Sequence, residues 1–299
     1  MTSGILLVDK PQGVTSHDVV ARARRLLGTR KVGHAGTLDP MATGLLLLGV
    51  DSATRLLTYL VGLDKEYRAT IRLGVATDTD DAEGEVIATR DASGVPDDAI
   101  EAGIAALRGP IQQVPSTFSA IKVDGRRAYD RARAGEEVAL EARPVTIHAF
   151  EVDAVRREAA VVDLDVRVVC SSGTYIRALA RDLGAELGVG GHLTALRRTR
   201  VGPFEVTDAV ELPDPRVDAD AAAPALLDPA EVVARLFPVV RLDAAQTRDL
   251  AHGKRVHLDA ADAELAAALT PEGRLAALIE LRSGRARVLL GLPTSEVLG

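Results

Sequence analysis

Cysteine is nearly missing from this 299-residue chain, with Cys170 its only representative. One thiol excludes an internal disulfide and any zinc site built from paired cysteines. Tryptophan and asparagine are absent, so tight turns fall to glycine and aspartate, and the 4 tyrosines stand out among few aromatics. No run approaches the roughly 20 apolar residues that cross a bilayer. Met1-Thr2-Ser3-Gly4 lacks the basic and then apolar pattern of a secretory leader. A soluble, cytoplasmic protein away from membranes is the expectation. Glycine-rich phosphate loops of the G-x-x-x-x-G-K-S/T and G-x-G-x-x-G kinds are missing, as is H-E-x-x-H. No cofactor and no metal is therefore expected.

What is present fits a globular chain, 47% apolar and 26% charged. The length calls for one large core with an appendage, or for two domains. The net charge of −7 argues against coating nucleic acid by bulk attraction, but it is unevenly spread. Residues 1–74 carry 10 basic and 6 acidic side chains, and residues 167–202 carry 6 and 2. Residues 75–110 carry 2 and 9, and residues 203–240 carry 2 and 8. A handful of placed Arg and Lys suffices to hold one folded RNA; scattered solvated charge is the plain alternative.

Periodicity gives the elements. Ile5 to Val8 reads as a strand, and Thr15-Ser16 caps a helix carrying Val19, Val20, Ala23, Leu26 and Leu27. Leu45 to Leu48 reads as a fully buried strand. Tyr67 to Val75 alternates, with Tyr67, Ala69, Ile71 and Leu73 facing inward. Asp78 to Glu85 is an acidic loop apart from the motifs, and Pro96 to Leu107 fits a helix with proline in its first turn. Asp124-Gly125 suggests a hairpin. Val161 to Val169 is a strand that ends near Cys170. A helix follows from Tyr175 to Leu187, with Arg177 at its start. Asp208 to Pro229 reads as a linker or irregular excursion. Beyond a boundary near residue 238, one short helix and several strands, among them Leu275 to Leu281 and Ala286 to Leu292, make a small β-rich module. The fold class expected is α+β: a large mixed, mainly antiparallel sheet with flanking helices, and the C-terminal module.

One stretch concentrates chemistry: Gly33-His34-Ala35-Gly36-Thr37-Leu38-Asp39-Pro40-Met41-Ala42-Thr43-Gly44. Its glycines permit close backbone approach, and Pro40 biases Asp39 away from helical angles. A single carboxylate is held in a stiff turn at the mouth of a buried strand, as a preorganised reagent would be. An ordinary Asp-Pro surface turn is the competing reading on local chemistry alone.

This stretch resembles the active-site motif of the bacterial tRNA pseudouridine-55 synthases, the TruB-type family. Leu7-Val8-Asp9-Lys10-Pro11-Gln12-Gly13, Asp64-Lys65-Glu66-Tyr67, Val114-Pro115-Ser116-Thr117-Phe118-Ser119-Ala120, Ser172-Gly173-Thr174-Tyr175-Ile176-Arg177 and Leu196-Arg197-Arg198 follow in the family's order. The resemblance is motif-level over residues 1–205. It implies a pseudouridine synthase domain over 1–238 and, in general pattern only, an RNA-binding domain of the PUA kind over 239–299. It implies isomerisation of uridine 55 in the tRNA T-loop by base flipping, with Asp39 as nucleophile and no cofactor. Arg177 corresponds to the arginine that pairs with the aspartate, Tyr67 to the aromatic that stacks on the target base, and Tyr175 and Leu196 to the uracil pocket. His34 corresponds to a histidine that presses into the tRNA loop. Lys10 supports the active-site loop or meets phosphate. Arg197, Arg198 and Arg200 track phosphates or form a solvated strand face. tRNA is the expected partner, with no obligate protein partner and a monomeric chain. A cysteine-dependent RNA uridine methyltransferase would need Cys170 and a cofactor loop that is missing, and a zinc deaminase lacks its thiolates. A guide-RNA-dependent relative and a tRNA-binding folding helper remain the alternatives.

Overall fold

A computed structural model of the chain describes residues 3–116, 122–123, 126–127, 140–214 and 222–298. The chain opens on β1 (Gly4–Lys10). A capping box at Thr15 and Asp18 then starts α1 (Ser16–Leu26), satisfying two amides that the first helical turn leaves unpaired. β2 (Val32–His34) runs antiparallel to β3 (Thr43–Val50). β3 explains its own run of leucines. Leu45 and Leu47 belong to one apolar cluster, while Leu46 and Leu48 pack with Val19, Val20 and Ala23 of α1 in another. A strand buried on both faces has no use for alternation.

A 3₁₀ turn (Asp51–Leu56) and α2 (Leu57–Val61) lead into β4 (Lys65–Leu73), which alternates as expected. Tyr67, Ala69, Ile71 and Leu73 are buried. On the opposite face Glu66, Arg68 and Arg72 meet Arg167, Asp153 and Asp163 of neighbouring strands. β5 (Val75–Thr77) and β6 (Val86–Thr89) form a hairpin around the acidic loop. α3 (Asp97–Ala106) has Pro96 at its N-cap rather than inside its first turn. β7 (Gly109–Gln113) follows, then β8 (Lys122–Val123) paired with β9 (Arg126–Arg127). The Asp124-Gly125 turn between them, and Thr117 to Ala120 of the fourth motif, lie outside the described residues.

β10 (Arg143–Glu158), β11 (Val161–Cys170), α4 (Ile176–Glu186), β12 (Gly191–Val201) and β13 (Phe204–Glu205) complete the main sheet. Its order is β1-β3-β12-β4-β11-β10-β7, with β2 on β3 and β13 on β12. Every pairing is antiparallel except β3 with β12. α3 and α4 pack on one face over β4, β10 and β11 through Ile100, Ile104, Ile176, Leu179 and Leu183. The sheet is mixed and mainly antiparallel, as expected.

The described ends of the Asp208 to Pro229 stretch, expected as a linker or irregular excursion, are tied to the main sheet. Val210 and Leu227 bridge to Val8 and Ile5 of β1. After α5 (Pro229–Ala234), a second sheet has the order β14-β16-β17-β18-β15. Its strands are β14 (Val239–Arg241), β15 (Val256–His257), β16 (Ala263–Leu269), β17 (Leu275–Arg282) and β18 (Arg285–Gly291). Two short helices accompany it rather than one, α6 (Ala244–Ala251) and α7 (Thr294–Leu298). Among the described residues no helix is long and apolar enough to cross a membrane.

Candidate active site

The Asp39 turn connects β2 to β3, and side chains from three other segments hold its backbone. Ser16 Oγ donates to Leu38 O at 3.1 Å and accepts from Leu38 N at 2.9 Å. Lys10 is fully buried, and its Nζ donates to Pro11 O, Val14 O and Pro40 O. Burial of this lysine rules out a solvated side chain, and its contacts lie on the Asp39 turn and the segment after β1. Arg198 is 1% exposed. Its guanidinium donates to Leu45 O at 2.7 Å, Gly36 O at 3.1 Å and Thr37 O at 3.4 Å. That overturns the placement of Arg198 in a phosphate-tracking or solvated row. Buried guanidinium groups need acceptors, and the loop carbonyls provide them. Arg197 is paired to both oxygens of Asp9, and Arg200 to Gly202 O and Glu66.

Arg177, 4% exposed and one residue into α4, meets Asp39 with two contacts. Its Nε lies 3.1 Å from Oδ2, and its Nη2 donates to Oδ1 at 3.2 Å. The remaining nitrogen, Nη1, donates to Thr79 O at 2.9 Å and lies 3.2 Å from Asp81 Oδ2. Asp81, 2% exposed, was not anticipated. It comes from the acidic loop, which the structure folds against the site instead of away from it. Arg181, one turn along α4, pairs with Asp80 at 3.3 Å in the same manner.

About a third of the Asp39 side chain stays open to a cavity of about 280 Å³. Burial by the walls raises its carboxyl above the usual range; the Asp81 charge adds to this, and Arg177 and Lys10 oppose it. Tyr67, Tyr175 and Leu196 line the same cavity with Asp39 and Arg177. Tyr67 lies on β4 opposite Arg198 of β12, and burial pushes its phenol up, so it stays neutral. Tyr175 is the N-cap of α4.

His34 stands apart from these. It lies on β2 at the flank of the turn, edge-on to His17 at 5.6 Å, outside the cavity lining. Burial and the neighbouring His17 and Arg198 lower its pKa. Lys65 was also not anticipated and does line the cavity. Its ammonium donates to Val61 O, Leu63 O and Ser172 Oγ, and burial lowers its pKa to about 8. Cys170 closes β11, buried, with its thiol pushed up to about 11, which is unsuited to a nucleophile. Among the described residues no cluster of three or more His, Cys, Asp or Glu side chains could hold a metal ion.

A solved structure titled "Crystal Structure of a Cbf5-Nop10-Gar1 Complex" superposes with a TM-score of 0.70 at 27% identity, covering 98% of this chain and 86% of that one. The family model "TruB family pseudouridylate synthase (N terminal domain)" matches residues 24–176. The models "tRNA pseudouridylate synthase B C-terminal domain" and "tRNA Pseudouridine synthase II, C terminal" match residues 177–223 and 237–293. The tRNA pseudouridine synthase B of Leifsonia xyli subsp. xyli is 59% identical over 301 residues, covering 99% of this chain and 98% of that protein. That of Thermobifida fusca is 57% identical over 288 residues, covering 95% and 96%. The chain belongs to the TruB family of tRNA pseudouridine synthases, isomerases that act on tRNA.

Proposed function

We propose that the chain isomerises uridine 55 in the T-loop of tRNA, with Asp39 as the nucleophile. The reaction breaks the bond from ribose C1′ to N1, turns the uracil, and joins C1′ to C5. The C5 proton leaves and N1 gains one, so nothing is added overall. The observation that carries the reading is the fork of Arg177 on Asp39 inside a base-sized cavity walled by Tyr67 and Tyr175.

Each group has a physical task. Desolvation makes the Asp39 carboxylate more basic and so a stronger nucleophile, while Arg177 favours its ionised form. Tyr67, held neutral, offers an aromatic face for an everted uracil. Eversion costs a few kcal/mol, which stacking and the Tyr175 and Leu196 walls offset. His34, on the flank of the turn, meets the tRNA loop from which the nucleotide departs. Lys10 keeps the Pro40 carbonyl, and with it the turn, in place. No cofactor takes part. Residues 1–238 serve as the catalytic domain and 239–299 as a PUA-like RNA-binding domain, in a monomer that works in the cytoplasm without an obligate protein partner.

Asp39→Asn tests this. The variant is expected to bind tRNA and to form no pseudouridine. Its thermal midpoint, measured above the folded-state pKa of Asp39, should equal or exceed the wild-type value. A carboxyl with a raised folded-state pKa gives stability that is full below its unfolded pKa and is lost as pH rises through the folded one. Above its folded-state pKa, Asp39 therefore contributes no such stability. Wild-type product from Asp39→Asn would reject the assignment.

A further inference from the structure

Gln113 is 1% exposed at the end of β7, an edge strand whose backbone pairs with β10. Its side chain turns away from that ladder toward Tyr175. Gln113 Nε2 donates to Tyr175 O at 3.1 Å, and Tyr175 N donates to Gln113 Oε1 at 2.8 Å. One carboxamide thus meets both backbone polar groups of Tyr175, as a neighbouring strand would. Tyr175 is the N-cap of α4 and has extended angles, so its own amide lies outside the helical hydrogen-bond ladder and takes its acceptor from Gln113. The next residue of β7's exit is tied to the same helix, since Val114 O accepts from Arg181 Nη2 at 2.7 Å.

We propose that Gln113 is a positioning residue for the reaction: its carboxamide sets the Tyr175 wall of the cavity and the first turn of α4, and so aims Arg177 at Asp39. This rests on the reading of the cavity as the uridine site. Gln113 does not line the cavity itself, so it acts through Tyr175. Only an amide has the required donor and acceptor in this spacing. Methionine matches its length without either group, and glutamate keeps the acceptor but sets a carboxylate oxygen against the Tyr175 carbonyl.

The experiment compares wild type, Gln113→Met and Gln113→Glu on a tRNA transcript, with rates expressed per folded protein. Hydrogen exchange is followed in peptides spanning residues 172–178. Gln113→Met is expected to lower kcat by roughly ten- to a hundredfold, the scale of a small misplacement of reacting groups. KM should stay within about threefold, and exchange at Tyr175 should quicken with the rest of α4 unchanged. Gln113→Glu should lose at least as much. A folded Gln113→Met with wild-type kcat, a loss confined to KM, or unchanged exchange at Tyr175 would overturn the inference. If Gln113→Met does not fold, Gln113→Glu carries the same decision. A wild type that forms no pseudouridine would instead reject the underlying reading, and the exchange arm tests the clamp in either case.

Discussion

Arg177 faces two carboxylates, and the difference between them decides how Asp39 behaves. Asp81 is enclosed: its Oδ1 accepts from Thr79 Oγ1 at 2.6 Å and Glu83 N at 3.0 Å. Asp39 opens on the cavity with the guanidinium fork as its principal partner. Asp81 thus braces the arginine from behind, while the exposed edge of Asp39 is left for substrate. Burial raises the Asp39 carboxyl, and Arg177 opposes the rise. Replacing Arg177 with methionine removes the opposing charge, so the acid limb of the pH–rate profile should move to higher pH. The limiting rate should also fall by about 100-fold with the lost electrostatic support. Arg177→Lys keeps the charge without the fork and should move the limb less. A limb that stays in place or moves to lower pH in Arg177→Met would contradict this coupling. Glycine and proline frame Asp39 in the sequence, where an ordinary Asp-Pro turn stayed open and the family resemblance alone singled it out. Asp81 was not legible, because it is one acid among several in residues 78–85, and only the β5–β6 hairpin brings it to α4.

The element that matters most is the β2–β3 turn with the strand it enters. β3 lies parallel to β12 through the pairs Arg197 with Thr43 and Arg198 with Gly44. A Cβ at Gly44 would stand 2.2 Å from Arg198 O, at a φ of +100°. Gly44→Ala must therefore distort the crossing that also carries Arg198 into the turn. The expected cost is about 2–4 kcal/mol, from overpacking and a left-handed backbone angle together. It is read as a lower denaturation midpoint at unchanged slope. A Gly44→Ala protein as stable as wild type would contradict the tight crossing. Strand and helix positions were legible here from local apolar pattern: β3 from four consecutive leucines, β4 from its alternation, α4 from its apolar stripe. The inward turn of Arg198 had one signal, since period two places it on the face of Leu196. A run of three nearby arginines masked that signal, and only the carbonyls of Gly36, Thr37 and Leu45 explain where the charge goes.

Across the whole molecule, one apolar cluster joins Ile5, Leu7, Leu45 and Leu47 of the main sheet to Ala266, Leu278 and Leu281 of the C-terminal sheet. α5 contacts both β1 and β16, so the face of β1 and β3 opposite α1 shares one apolar cluster with the C-terminal sheet. A sequence pattern marks where such a module begins but not which surface it covers, because that contact joins residues more than 200 positions apart. The acidic loop teaches the same lesson in charge. Net sign along the chain placed the acidity of residues 75–110 away from the motifs, while folding pairs Asp81 and Asp80 with Arg177 and Arg181 on successive turns of α4. A solved structure of similar fold holds Cbf5 with Nop10 and Gar1, so the deciding question for the whole chain is whether it acts without added RNA or protein. The most direct measurement is to incubate the purified chain alone with an unmodified tRNA transcript and map pseudouridine by position. The account expects conversion at uridine 55 without any added RNA or protein; no conversion, or conversion only at other positions, would contradict it.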